Sequence, residues 1–363
     1  MGAIVISPFF RLFLLINDKK MKKISIILVA ISLSVCLGAC KAKNEKRVEN
    51  APVVAAYLVH DSDVVPDLRW VTQINYAFGL VDQNTFDKII ILNEKRFEQI
   101  ASLKQTNPDI KILLSLGGWG AGGFSEMAAD SSKRRQFAND CKRIVDKYQI
   151  DGIDVDWEYP SSDEAGISAT PNDIDNFTLL IKDIREAIGN NKMLTIATIA
   201  DALYVDFPAV IDYLDMVNIM AYDVARPPYH HSPLYRSSHA GRITTDEAVY
   251  AHIKAGVPAE KLVLGIPLYG HGIDSLPDYT YYADILKLEN YTFHWDDTAK
   301  VPYMTDSEGK FVLCYEDTNS VRIKCNYIKD KNLRGIMYWE YTLDAPHLPL
   351  IKTIYNTMNQ ADE

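Results

Sequence analysis

Short, almost continuously apolar runs recur along this chain, each followed by a segment whose apolar residues repeat with helical spacing. The runs are Val53–Val59, Gln73–Phe78, Ile112–Leu116, Gly152–Glu158, Met193–Ile199, Met216–Met220, Leu262–Pro267 and Gly335–Trp339. Between them, Phe177, Leu180, Ile181, Ile184 and Ile188 share one helical face with Gly189 as the stop, and Arg96–Leu103 and Arg134–Tyr148 read the same way. Strands apolar on both faces belong in a parallel sheet covered by helices. Eight such units close into an α/β fold, the (β/α)8 TIM barrel, which needs about 250 residues and carries its chemistry at the C-terminal strand ends. A doubly wound open sheet is the alternative, but no GxGxxG follows the first run. The roughly 60 residues beyond a minimal barrel fall largely within 271–326, where Tyr279–Tyr282 and Val301–Cys314 suggest an added small sheet. That is a short α+β insertion after the seventh strand.

The N-terminus follows a different pattern. Met21-Lys-Lys opens a basic stub, an apolar stretch runs from Ile24 to Val35, and Leu37-Gly38-Ala39-Cys40 follows. This order reads as an export signal, and the stretch is short for a membrane span. Leu-Gly-Ala-Cys resembles a bacterial lipobox, with lipid attachment at Cys40; Met21 is a candidate true start. Residues 41–50 are charged and read as a tether, leaving 51–363 for the barrel. These features predict an exported protein, lipid-anchored to a bacterial membrane at its periplasmic face or on the cell surface.

The full chain of 363 residues carries a net charge of −10; the leader to Cys40 contributes +4, so the remainder stands at −14. An acidic surface argues against nucleic acid and fits a neutral or cationic substrate. Beyond Cys40 the cysteines are Cys141, Cys314 and Cys325, an odd number with no CxxC. They offer neither a disulfide framework nor a zinc site, and free thiols are expected. No cofactor or metal is expected, and the chain is expected to be a monomer.

The candidate chemistry lies in Asp151-Gly-Ile-Asp154-Val-Asp156-Trp-Glu158-Tyr-Pro160. In an extended strand Asp154, Asp156 and Glu158 point the same way, while Val155 and Trp157 face the helical layer. Acids crowded on a buried face resist ionisation and repel one another, which raises their pKa values and makes a glutamate a general acid near neutral pH. A calcium loop would want Gly and Asn between its acids instead of Ile, Val and Trp. Asp151, on the opposite parity, reads as a strand-start hydrogen-bonding residue. Polar and aromatic residues gather at the other predicted strand ends as well: Tyr57, Phe78, Ser115-Leu-Gly-Gly-Trp119, Met220-Ala-Tyr222-Asp223, Tyr269-Gly270 and Trp339-Glu340.

From about Val53 to Tyr355 the chain resembles glycoside hydrolase family 18, the chitinase-like family. The resemblance rests on Ser115-Leu-Gly-Gly-Trp119, the DxxDxDxE pattern ending at Glu158, Met220-Ala-Tyr222-Asp223, Gly265-Ile-Pro-Leu-Tyr269-Gly270 and Trp339. It implies hydrolysis of β-1,4-linked N-acetylglucosamine in chitin or its oligosaccharides, with the substrate's own acetamido group as nucleophile. Glu158 would be the acid, Asp156 would hold the acetamido N–H, Asp154 would share a proton with Asp156, and Tyr222 would bind the acetamido carbonyl. Trp339 would floor the sugar site, with Met220 packing beneath the sugar and Asp223 bonding to it. Tyr57, Phe78, Trp119 and Tyr269 would complete the substrate-binding set, while Ser115, Gly117 and Gly118 read as scaffold. The chain departs from the pattern at His271, where larger members often carry Arg, and its insertion is shorter than in deep-groove members, which predicts an open cleft. The same fold also admits an endo-β-N-acetylglucosaminidase acting on N-glycans, a non-catalytic chitin-binding lectin, or a surface scaffold with a vestigial site.

Overall fold

The computed structural model describes residues 51–360, so Cys40 and the tether fall outside the described residues. Eight parallel strands close on themselves: β1 (Val53–Val59), β2 (Gln73–Val81), β4 (Lys111–Gly117), β5 (Gly152–Asp156), β6 (Met193–Ile199), β7 (Met216–Met220), β8 (Leu262–Pro267) and β14 (Gly335–Trp339). Pairing of β1 with both β14 and β2 shuts the barrel. β2 runs three residues past its expected end because β3 (Ile89–Ile91) folds back antiparallel against it.

The strand alternation sorts side chains into two cores. Val53, Ala55 and Tyr57 point into the barrel with Met216, Val263 and Met337, while Val54, Ala56 and Leu58 join the larger core under the helices. Both layers exclude water, which is why most strand positions are apolar on both faces. The outer layer includes α1 (Glu94–Ala101), α2 (Phe124–Ala129), α3 (Ser131–Tyr148), α4 (Asp173–Ile188), α5 (Phe207–Val210) and α6 (Thr245–Lys254). In α4 the predicted face of Phe177, Leu180, Ile181, Ile184 and Ile188 is buried, and the Gly189 N–H caps the helix on the Arg185 carbonyl. Trp157 turns outward as expected, stacked on Phe124 at 5.3 Å and edge-on to Phe177.

The insertion after β8 builds a five-stranded antiparallel sheet from β9 (Tyr269–Gly272), β10 (Thr280–Tyr281), β11 (Thr292–Asp296), β12 (Val301–Thr305) and β13 (Phe311–Cys314). The short helix α7 (Tyr282–Ile285) follows β10. The chain returns to the barrel through α8 (Thr318–Asp330) and ends in α9 (Pro349–Asn359), packed on α8. Cys141, Cys314 and Cys325 are buried free thiols. Among the described residues no helix is long and apolar enough to cross a membrane.

Candidate active site

The acidic run enters the barrel from β5, whose start is fixed by Asp151. That carboxylate accepts from the Ile112 backbone N–H of β4 at 2.8 Å and pairs with Lys104 at 2.7 Å. Asp154 and Asp156 then point inward. The strand ends at Asp156, two residues short of expectation, so Glu158 projects from the segment just beyond it. The cause lies in β4, which turns at Gly117 with φ 119° and gives β5 no partner past Asp156. The Gly118 N–H still closes on the Asp156 carbonyl at 2.9 Å.

Asp154 is fully buried beneath the cleft and accepts four hydrogen bonds. Tyr57 Oη and Ser115 Oγ donate to Oδ2 at 2.8 Å each; Thr195 Oγ1 at 2.5 Å and Asn218 Nδ2 at 3.1 Å donate to Oδ1. Burial raises its pKa, and these donors work in the opposite direction. With both oxygens so engaged, Asp154 shares no hydrogen bond with Asp156 in this arrangement. Ser115, expected as scaffold, supplies one of the four donors. Thr195 and Asn218 were not singled out from the sequence, although their signal was present: each is a polar inward position in an otherwise apolar strand, and Thr195 lies in register with Asp154.

Asp156 Oδ1 is buried without a hydrogen-bond partner. Its pKa is raised well above the carboxylate range by burial, then by the negative charges of Glu158 and Asp154. Burial also pushes Glu158 up to about 7; the charge of Asp223 adds to the shift and the Tyr159 hydroxyl opposes it. Tyr222 keeps its proton, because burial and the nearby acids raise its pKa. Buried groups favour their neutral forms unless a donor or an opposite charge compensates, and these three have little such compensation.

All of the expected substrate-binding residues line one cleft of about 810 Å3: Tyr57, Phe78, Trp119, Met220, Asp223, Tyr269 and Trp339, together with Asp156, Glu158 and Tyr222. The Trp339 ring stacks on Phe78 at 5.7 Å, and its Nε1 donates to Tyr279 Oη at 2.9 Å. Tyr269 is buried, with its ring stacked on Tyr279 at 4.1 Å and its hydroxyl donated to Asp223 at 2.7 Å. It serves the wall more than any flanking sugar, whereas Trp119 stands 61% exposed at the rim. Tyr279, Tyr204 and Arg242 also line the cleft from loops that carried no motif, and Tyr159, next to Glu158 in the acidic run, lines it too. Burial works to raise Asp223, but the neighbouring His231 and His271 imidazoles outweigh it and hold the group well below the usual range.

The profile of glycosyl hydrolases family 18 matches residues 45–344. Chitinase A1 of Niallia circulans is 36% identical over 310 residues, covering 72% of this chain and 44% of that protein. An endochitinase of Manduca sexta is 29% identical over 371 residues, covering 85% of this chain and 65% of its own length. This chain thus spans less than two thirds of either relative. Among solved structures, a family 18 N-acetylglucosaminidase from Paenibacillus barengoltzii superposes with a TM-score of 0.76 at 35% identity, covering 84% of this chain and 99% of that one. With the acidic run, the aromatic cleft and a family match across most of its length, the chain belongs to glycosyl hydrolases family 18.

Proposed function

We propose that this chain hydrolyses β-1,4-linked N-acetylglucosamine in chitin or its oligosaccharides, through participation of the substrate's acetamido group. The observation that carries the reading is Glu158, held protonated to about pH 7 at the edge of an aromatic cleft, beside a buried Asp156 and a protonated Tyr222. Glu158 gives its proton to the glycosidic oxygen as the acetamido carbonyl oxygen attacks the anomeric carbon and the glycosidic bond breaks. The unpartnered Asp156 Oδ1 is free to accept the acetamido N–H, which would orient the acetamido group for its attack. The Tyr222 hydroxyl donates to the acetamido oxygen, and Trp339 offers its face to the apolar side of the sugar. Water, deprotonated by Glu158, then opens the ring and leaves the β-anomer. A positioned internal nucleophile lowers the barrier by up to about 7–11 kcal/mol in well-aligned cases.

Glu158→Gln keeps the shape of the acid but has no proton to give. Hydrolysis of chitooligosaccharides should fall on the order of a thousandfold, with an unchanged circular dichroism spectrum. A variant retaining a tenth of the wild-type rate would sink the assignment. The relatives named chitinases favour this substrate over N-glycans. The Leu37–Cys40 lipobox supports attachment of the enzyme to a membrane through acyl chains on Cys40, two or three of which anchor stably where one does not. Cys40→Ser should move the protein from the membrane to the soluble fraction; wild type found wholly in the soluble fraction would refute the anchor.

A further inference from the structure

Two histidines meet Asp223 at one wall of the cleft, and the proposed hydrolysis uses neither of them. His231 is 1% exposed and has no hydrogen-bond partner on either ring nitrogen. Its Nδ1 stops 3.6 Å from Asp223 Oδ1. Buried polar groups nearly always find a partner, so an orphaned imidazole facing a carboxylate demands a physical reason. His271, in β9, is placed differently. Its Nδ1 lies 2.5 Å from the backbone carbonyl oxygen of Asp278, an acceptor only, so Nδ1 carries a hydrogen. Its Nε2 then faces Asp223 Oδ1 at 2.7 Å. A neutral imidazole in that tautomer would set a lone pair against a carboxylate lone pair, so a proton or a cation has to lie between them. A proton satisfies His271 but leaves His231 without a partner; an ion would give each ring one ligand bond, through Nε2 of His271 and Nδ1 of His231.

The donor set and its surroundings suit an ion. Two imidazoles and one carboxylate with an open side form a common catalytic-type zinc donor set and also suit other first-row dications. A tetrahedral ion with ligands at about 2.1 Å wants its donor atoms about 3.4 Å apart. The 2.7 and 3.6 Å spacings bracket that value, and all three donor atoms lie within 4.8 Å of one another. The outer contacts fit as well: the Asp278 carbonyl orients His271, and the Tyr269 hydroxyl orients Asp223. The Asp223 side chain is 46% exposed, so water from the cleft has access to the remaining positions.

We propose that Asp223, His231 and His271 form a site for one divalent transition-metal ion of the zinc class, set in the wall of the cleft. An ion there withdraws Asp223 from hydrogen bonding to a saccharide. The full-length, tag-free chain, stripped with chelator, should take up one Zn2+ at micromolar concentration in calorimetry. With Cu2+ in its place, the paramagnetic resonance spectrum should show superhyperfine splitting from two nitrogens. His231→Gln should weaken Zn2+ binding at least tenfold without altering the melting temperature. Absence of saturable binding, or His231→Gln binding as wild type does, would overturn the site. If that variant misfolds, the wild-type Cu2+ spectrum decides, and a pattern without two nitrogens overturns the proposal. Binding is read without turnover, so failure here leaves the hydrolase reading standing.

Discussion

Glu158 obtains its acidity from position more than from any single partner: it sits past the end of β5, buried beside two other acids, with no cation hydrogen-bonded to it. A raised folded-state pKa has a stability consequence whose sign is fixed. The folded protein holds this proton up to about pH 7, whereas the unfolded chain releases it near 4.5. The folded state therefore loses ground as the pH climbs between those values and recovers it on acidification. At about 1.4 kcal/mol per unit, the loss is on the order of 3 kcal/mol above pH 7. Glu158→Gln has no charge to bury, so urea denaturation should show its stability relative to wild type increasing by about that amount between pH 4.5 and pH 8. A difference that does not change with pH would contradict a buried, elevated acid. Activity of the wild type should fall on the alkaline side of about pH 7, where the proton to be donated is gone. At this scale the sequence made Asp156, Glu158 and Tyr222 visible because strand parity brings charged or polar groups to one face. It hid Thr195 and Asn218, whose partner Asp154 lies dozens of residues away, and His231, which gains meaning only once the fold brings it to Asp223.

The elements that carry the site depend on how closely β4 approaches β5. At Gly117, φ is +119°, and a Cβ would stand 2.0 Å from the Asp156 carbonyl oxygen. Gly117→Ala therefore forces the two strand ends apart and moves the acid-bearing segment. A cost of about 1–3 kcal/mol is expected for such strain, seen as a lowered melting temperature together with a large loss of kcat. Gly309→Ala is the control: its φ is +80°, but its Cβ would meet nothing within 4 Å, so stability should drop while turnover persists. If Gly117→Ala kept both stability and turnover, the close approach would be unimportant. Five of the eight barrel strands coincide with their apolar runs residue for residue, since burial on both faces leaves few polar positions to blur the ends. The insertion was legible only in part. β11 is largely exposed or half-buried, and β10 has two residues, so neither carries the continuous apolar signal of the barrel strands.

For the molecule as a whole, the single insertion sets what the cleft can hold. Its five-stranded sheet raises one wall, where Tyr269 and Tyr279 stack against each other and Tyr279 bonds to Trp339. The lined volume of about 810 Å3 lies within the range of ordinary small-molecule pockets, which run to about 1,000 Å3. That space suits a few sugar rings at a time, not a long chain threaded past many aromatics. Trp119, 61% exposed at the rim, supplies one more stacking surface without enclosing the substrate. On the proposed function, a polymer is therefore expected to enter from the side and be cut internally. For a soluble chitin derivative, viscosity should fall quickly relative to the reducing ends released, because each internal cut shortens chains far more than trimming does. Mono- or disaccharide accumulating from the first minutes, with viscosity nearly unchanged, would mean action from a chain end.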